Sequence, residues 1–498
     1  MSSRESTGND SAASVALTAH EVQAGDVLHS SSSSYSVLEL IGEGAFGKIA
    51  ASMNLRTKEH VAIKILNNKE STQDSEQEVS ILKLIGETLD SDRTNMVKFH
   101  EQFVHMEQNC LVFERLHMSL YDLLKWREWK YLPLHHIRPV AKQLLVTLEA
   151  LKGVGVLHTD IKPDNIMFVH LQDQPLRVKL IDFGSAMMTS QIELGKEIQP
   201  YGYRAPEISL GLPFTEAVDV WGVACILAFL YMAENLFCIS CEYQMMKGIV
   251  TVLGQPEDRL LRDGENSWRF FIDEQGADSS SWRLLTAEEF TAANDLETEE
   301  LPSSLSSLSS LILFHPELEA AEREDRMAFV SLLEGLLHVD GDQRMTSGQA
   351  LQHPFITMSH LTEDVDSWDY LTTSKMTMKV YPDEDSVHGA TSDNSYSDTM
   401  DKVSSNSVEA LVSQVTSVPK LSTGDSAEVC DSDLSNSKDT SVPSIKEDDT
   451  SELSWCSDVA VDINAAATAS SGGKRKLLRR IRKFFSSLIS CCRPKVED

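Results

Sequence analysis

Residues 158–165 read His-Thr-Asp-Ile-Lys-Pro-Asp-Asn, and Asp182 follows seventeen residues after Asn165 within Ile181-Asp182-Phe183-Gly184. No other stretch narrows so sharply what this chain can fold into. It asks for a loop that presents an acid, a base and an amide together, and for an apolar strand that ends on a second acid. Asp160 can accept or orient a hydroxyl proton, Lys162 can meet a phosphoryl group, and Asn165 and Asp182 can offer oxygens to a metal. Phosphoryl transfer depends mostly on positioning and charge neutralisation, so these few groups suffice for it. Taken singly, each is more simply a solvated loop residue.

The residues upstream and downstream supply what the loop lacks. Gly42-Glu43-Gly44-Ala45-Phe46-Gly47 runs from one apolar strand into another, which disfavours a dinucleotide fold, where such glycines open a helix. Glycines there let backbone approach phosphate oxygens closely. Lys64, in Val61-Ala62-Ile63-Lys64, lies seventeen residues past Gly47. It needs a carboxylate to hold it, and Glu78 in the helical stretch "EQEVSILKLI" is the candidate. Ala205-Pro206-Glu207 follows, with Arg344 in "DGDQRMT" available to pair with Glu207. Alternating apolar strands up to about residue 115 give way to helical spacing, as in "HHIRPVAKQLLVTLEALKGVG". The expected fold class is α+β, with a small β-rich lobe before a large helical one.

These motifs, in this order, resemble a eukaryotic protein kinase. More narrowly, "CLVFERLHMSLYDLLK", "HTDIKPDNIMFV", "RVKLIDFGSA", "YRAPEISLGLPFTEAVDVWGVACI" and "LQHPFITMSHL" resemble the homeodomain-interacting protein kinases and the related dual-specificity tyrosine-regulated kinases. The resemblance spans about residues 35–361, with the small lobe at about 35–115 and the large lobe at about 116–361. It implies ATP as phosphoryl donor, Mg²⁺ as cofactor, and protein Ser or Thr, with Tyr open, as acceptor. It implies Asp160, Lys162, Lys64 and Glu78 as catalytic residues, with Asn165 and Asp182 on the metal. By the same resemblance Ile41, Gly42, Gly44, Gly47 and Ile49 cover the nucleotide. Ala62 and Met167 sandwich adenine, Phe113 closes the back of its pocket, and Glu114 and Leu116 present backbone groups to it. The substrates implied are proteins, transcriptional regulators among them, acted on by a monomeric kinase domain.

The sequence departs from the family pattern at three places. Thr159 replaces an arginine that often grips a phosphorylated activation loop, although near relatives also carry a small residue there. Glu197 in "LGKEIQPYGYRAPE" aligns with the family's activation-loop tyrosine, and either holds the loop active or is a solvated residue. Tyr201 occupies a site where relatives offer Arg, while Arg204 resembles the arginine that favours proline after the phosphoacceptor. Pro200 stands where serine/threonine kinases usually place Ser or Thr, as in tyrosine kinases, but those lack a lysine at the position of Lys162. With Lys64, Glu78, Asp160, Lys162, Asn165 and Asp182 all present, the reading is an active kinase. The alternative is a pseudokinase scaffold using the same fold for protein interaction.

Composition frames the rest. A net charge of −32 over 498 residues argues against direct nucleic-acid binding. The eight cysteines show no disulfide framework, and Cys238-x-x-Cys241 lacks a second pair, so half-buried thiols in a reducing intracellular setting are expected. Residues 1–34, with "HSSSSS", read as a disordered polar N-terminus, and no secretion signal or spanning segment is evident. Residues about 275–325, containing "SSLSSLSSL", read as a loose surface insert, and residues 362–473 as a disordered acidic Ser/Thr-rich tail. Residues 474–498 are basic and amphipathic, with Leu477, Ile481, Phe484, Phe485 and Leu488 on one face and Cys491-Cys492 beyond. That segment suits an anionic membrane surface with lipidated cysteines, calmodulin, or a nuclear import receptor, or a fold-back on the acidic stretch. Localisation is therefore expected in the nucleus, the cytoplasm or at a membrane.

Overall fold

Strand alternation builds the small lobe. In the computed structural model, six antiparallel strands form one sheet: β1 (Val27–His29), β2 (Ser34–Gly44), β3 (Gly47–Asn54), β4 (His60–Leu66), β5 (Phe99–His105) and β6 (Gln108–Glu114). Their order is β1-β2-β3-β4-β6-β5. Val61, Ile63 and Ile65 alternate inward and pack with Val37, Ala50, Cys110 and Val112. The same period of two turns Ala62 and Lys64 to the opposite face, over the cleft. Register shifts in β2, between Val37 and Glu39 and between Leu40 and Gly42, curl the sheet. Helix α1 (Thr72–Thr88) crosses behind it, with Glu78, Val79, Leu82 and Ile85 buried at helical spacing. The structure describes residues 21–44, 47–66, 72–171, 173–276, 279–294, 305–316, 320–362 and 368–379.

The large lobe is helical around a two-strand floor. Helix α2 (Leu120–Trp126) starts on a capping box made by Ser119 and Asp122. Helix α3 (Leu134–Gly153) leads to β7 (Val156–Leu157), then to the hairpin β8 (Ile166–His170) and β9 (Gln174–Leu180), and to β10 (Met187–Met188). Helices α4 (Pro206–Leu210) and α5 (Ala217–Met232) follow. Every residue of α5 from Val218 onward is buried, so apolar side chains surround it on all sides, as expected of a central core helix. Next come α6 (Glu242–Leu253), α7 (Asp258–Asp263), the hairpin β11 (Phe271–Gly276) and β12 (Ser279–Leu284), and α8 (Ala287–Asn294). Helices α9 (Ala320–Leu336), α10 (Ser347–Leu351), α11 (Pro354–Thr357) and α12 (Trp368–Met378) complete the described chain.

Three boundaries differ from the sequence reading. The expected disordered N-terminus of 1–34 already holds β1 within it, where Leu28 is fully buried and Val22 nearly so. One apolar residue suffices there because β2 supplies the pairing, a partner that local composition does not reveal. The expected loose insert at about 275–325 includes β12, α8 and a 3₁₀ turn, Leu308–Leu313. A 3₁₀ turn brings residues three apart into line, so Leu308 and Leu311 enter the core together, and Leu305, just before the turn, joins them there. Burying each is worth about 1.5–3 kcal/mol, which polar Ser neighbours do not cancel. Finally, the tail expected to be disordered from 362 contains α12, whose Leu371 is buried and whose Tyr370 hydroxyl donates to the buried Asp325 at 2.6 Å. Residues 380–498, with the basic segment and Cys491 and Cys492, lie outside the described residues.

Candidate active site

The sheet brings β4 and α1 together at one ion pair. Lys64 Nζ lies 2.8 and 3.1 Å from the two Glu78 oxygens. It also lies 2.9 Å from Asp182 Oδ1, across the cleft between the lobes. Burial works against the Lys64 ammonium, but Asp182 and Glu78 outweigh it and hold its pKa above the ordinary lysine value. Burial likewise pushes Asp182 up, and Lys64 more than offsets it, leaving that carboxyl below the usual range. Glu78 is pushed up by burial and drawn back by Lys64; at 2.8 Å from an ammonium we take the pair as ionised. A Cβ on Gly184 would sit 3.3 Å from both Lys64 Nζ and Asp182 Oδ1, so only glycine leaves this junction unpressed.

The cleft floor is wired by hydrogen bonds. Lys162 Nζ donates to both Asp160 oxygens, at 3.0 and 2.8 Å. Asn165 Nδ2 donates to Asp160 Oδ2 at 2.8 Å and to the Asp160 carbonyl at 2.9 Å, which leaves its amide oxygen for other ligands. His158 Nδ1 accepts from the Asp160 N–H at 3.2 Å, so its Nε2 carries the proton and donates to the Ile181 carbonyl at 3.0 Å. Phe183, buried, meets the His158 ring edge-on at 5.0 Å. Thus Asp160 and Asp182, one on each side of the floor, are referenced to the same imidazole.

Sequence reasoning missed the anchor beneath this floor. Asp219 accepts the backbone N–H of His158 at 2.7 Å and of Thr159 at 2.8 Å. Burial pushes its carboxyl up, and those two N–H donors and His158 only partly offset the shift. The signal was present, since Asp219 is the one charged residue in the otherwise apolar α5. Thr159, at φ 65°, is buried, and its hydroxyl donates to the Ser185 carbonyl at 2.7 Å. The residue that departs from the family pattern therefore ties the floor to the start of the activation segment.

The residues expected on the nucleotide side come from β2, β3, β4, β6 and β8. Gly42 pairs with Ile49 and Gly44 with Gly47 across the β2–β3 turn, whose tip lies outside the described residues. Gly47 has φ 142°, and a Cβ there would run into the Ile65 carbonyl oxygen. Ile41 is exposed at the cleft edge. Ala62 faces Phe113 across β4 and β6, and Met167 of β8 lies on the large-lobe side. The Glu114 N–H is spent on the Lys98 carbonyl at 3.0 Å, so its carbonyl is what it can offer a ligand. The Leu116 side chain is buried.

The activation segment divides in two. Its distal half is braced: Arg344 forks onto Glu207 at 2.7 and 2.8 Å, and also stacks over Trp221. Arg204 donates to Glu242 at 2.8 Å and to the Gln199 carbonyl at 3.1 Å, and lies 4.7 Å from the Tyr201 ring centroid. Gln199 adopts φ 65° and bonds the Val218 carbonyl and the Ala205 N–H through its side chain. Glu197, by contrast, is exposed and forms no ion pair among the described residues. Pro200 brings no hydroxyl to Asp160, whose oxygens are already met by Lys162 and Asn165.

A curled antiparallel sheet over a helical lobe, with a lysine–carboxylate pair facing a wired Asp–Lys–Asn loop, is the architecture of a protein kinase. Residues 35–356 match the protein kinase domain family, and the chain belongs to it. It is 38% identical over 365 residues to homeodomain-interacting protein kinase 2 of Mesocricetus auratus, covering 72% of this chain and 31% of that protein. It is 39% identical over 346 residues to homeodomain-interacting protein kinase 1 of Mus musculus, covering 68% and 28%. The serine/threonine-protein kinase ppk15 of Schizosaccharomyces pombe is 34% identical over 334 residues, covering 65% and 62%. The chain spans under a third of the length of these two homeodomain-interacting relatives.

Proposed function

We propose that this chain is an active protein kinase that transfers the γ-phosphoryl group of ATP to Ser or Thr of protein substrates. The observation that carries the reading is the convergence of Lys64, Glu78 and Asp182 within 3.1 Å in one cleft. Lys64, held by Glu78, aligns the α- and β-phosphates. Asp160 orients the acceptor hydroxyl and takes its proton as the bond to phosphorus forms. Lys162 offsets charge on the transferring group. The oxygens of Asp182 and Asn165 are hard donors suited to Mg²⁺, and Asp182 retains access to the cleft. Magnesium held there supplies neutralisation of the phosphate charge. Phe113, the Glu114 carbonyl, Leu116, Ala62 and Met167 enclose adenine, while Ile41, Ile49 and the glycines cover the phosphates.

Retention of Lys162 two residues after Asp160 favours Ser/Thr over Tyr as acceptor. The relatives' designation as homeodomain-interacting kinases points to transcriptional regulators as substrates. The basic, amphipathic segment 474–498, with its cysteine pair, favours association with an anionic membrane surface, at about 1 kcal/mol per basic residue near lipid. Calmodulin and import receptors are its competitors, and the localisation of a chain lacking 474–498 decides among them. Loss of membrane association supports the first, and loss of nuclear entry overturns it.

The central test is transfer of labelled phosphate from Mg-ATP to a generic basic substrate and to the chain itself, with Asp182→Asn alongside. Transfer that vanishes in the variant is the expected result. A folded wild-type chain with no transfer above the variant overturns the reading.

A further inference from the structure

Resting on the kinase reading, we propose that Lys179 is a positioning residue that fixes the inter-lobe hinge for adenine binding. Lys179 lies on β9, three residues before Asp182, with its side chain only 2% exposed. Its Nζ lies 2.6 Å from Glu114 Oε1 and 2.7 Å from Asp92 Oδ1. Glu114 ends β6, where the chain leaves the small lobe. The same Glu114 Oε1 accepts the Lys98 N–H at 2.6 Å, and the Glu114 N–H donates to the Lys98 carbonyl at 3.0 Å.

The loop that carries Asp92 is sewn to β9 as well. Leu180 N donates to the Asn95 carbonyl, and Val97 N to the Leu180 carbonyl, both at 2.9 Å. Lys179 is also the cross-strand partner of Met167, on the adenine face of β8. One ammonium thus joins the hinge, the loop behind it and the strand that delivers Asp182. Its hydrogen bond holds the Asp92 carboxyl below the usual range, although that side chain is mostly exposed.

Packing alone does not call for a lysine here, since an apolar side chain of equal length would fill the space without desolvating a charge. The lysine is placed to neutralise two carboxylates and to set where the Glu114 carbonyl stands. Its removal leaves Glu114 and Asp92 as neighbouring like charges and frees the hinge to shift. The loss should fall on the adenine end of the site, leaving the phosphate end, held by Lys64 and Glu78, in place.

The test compares wild type, Lys179→Met, Lys179→Arg and Asp92→Asn by calorimetric binding of ATP and of adenosine, with steady-state kinetics for ATP. Lys179→Met should raise both dissociation constants by a common factor of about tenfold, and KM with them, while kcat changes less than about threefold. Lys179→Arg should recover most of the affinity. Asp92→Asn alters an exposed partner that folding tolerates, so it reports even if Lys179→Met does not fold; it should raise the adenosine constant about two- to threefold. Unchanged adenosine affinity in the folded variants, or a loss for ATP alone, overturns the inference, because the damage would then be absent or at the phosphates. A wild-type chain that binds no ATP would instead sink the kinase reading and the inference with it.

Discussion

The cleft floor and the stretch of the activation segment around Glu193–Glu197 are close in sequence and built on opposite principles. At the catalytic loop the polar groups are tied to one another: Asp219 to the N–H groups of His158 and Thr159, His158 to both sides of the floor, and Lys162 and Asn165 to Asp160. Between Glu193 and Lys196 the chain is exposed, and Glu197 beside it takes no cation among the described residues. The contrast teaches where selection for geometry acts. Reacting groups need fixed positions, because transfer is governed by alignment. A segment that controls access needs a choice of states, and a tightly bonded one would have none. Arg204, a cation of the same segment, is already committed to Glu242, so among the described residues Glu197 has no anchor comparable to the one a phosphate would seek.

The comparison is easiest to break at the floor. Asp160→Ala removes the group proposed to orient the hydroxyl, and kcat should fall by about 10²–10⁴-fold with the melting temperature little changed. Label transfer under saturating ATP reads this directly, and a fall below tenfold would mean the floor is not where the chemistry occurs. Asp219→Asn should come next. An amide can accept one of the two N–H groups but turns its own NH₂ toward the other, leaving a buried donor unmet at about 1–3 kcal/mol. A loss of activity of about 10–100-fold is expected from a loop displaced but not deleted.

The same variant carries a pH signature. Burial raises the Asp219 pKa above that of an ordinary aspartate, so the folded state holds a proton more tightly than the unfolded one. The group's stabilising contribution is complete below the ordinary value and lost as pH rises through the raised folded value. The stability of wild type relative to Asp219→Asn should therefore decline as pH climbs above about 4, as read by denaturant midpoints. A rising difference would place the carboxylate in a far more polar setting than the one described.

How much of this was legible beforehand depended on whether a residue acts through local pattern or through a distant partner. The lobes, and the residues that meet in the cleft, could be read because strand and helix periods are local and each motif has short spacing. Asp219 was overlooked because its partners are backbone N–H groups about 60 residues away, which no side-chain pattern records. Nothing in the local sequence marks Lys179 in its apolar strand, and only the approach of Glu114 and Asp92 distinguishes it. Leu28 and the leucines at 305, 308 and 311 were lost in serine-rich surroundings, because burial follows from what a neighbouring element offers and average composition does not reveal it. Tyr370 and α12 depended on Asp325, about 45 residues upstream in a different helix.

Two smaller changes sharpen the boundary between the regions. Thr159→Val keeps the shape of the side chain but loses the hydroxyl bond to Ser185, one hydrogen bond worth about 0.5–1.5 kcal/mol. If that bond couples floor to segment, kcat/KM should drop about three- to tenfold, with the Asp160 wiring intact. Glu197→Gln should do least. It removes one charge from an exposed side chain that has no ion-pair partner among the described residues, where interactions are worth little after solvent screening, so phosphate transfer should change less than about twofold. The measurement is the initial rate of transfer by both proteins under identical Mg-ATP and salt. A tenfold or greater loss, relieved in Glu197→Asp, would show that the carboxylate holds the segment in its working state after all. The activation segment would then be as dependent on a single charge as the floor is on Asp160, and the contrast between the two regions would fail.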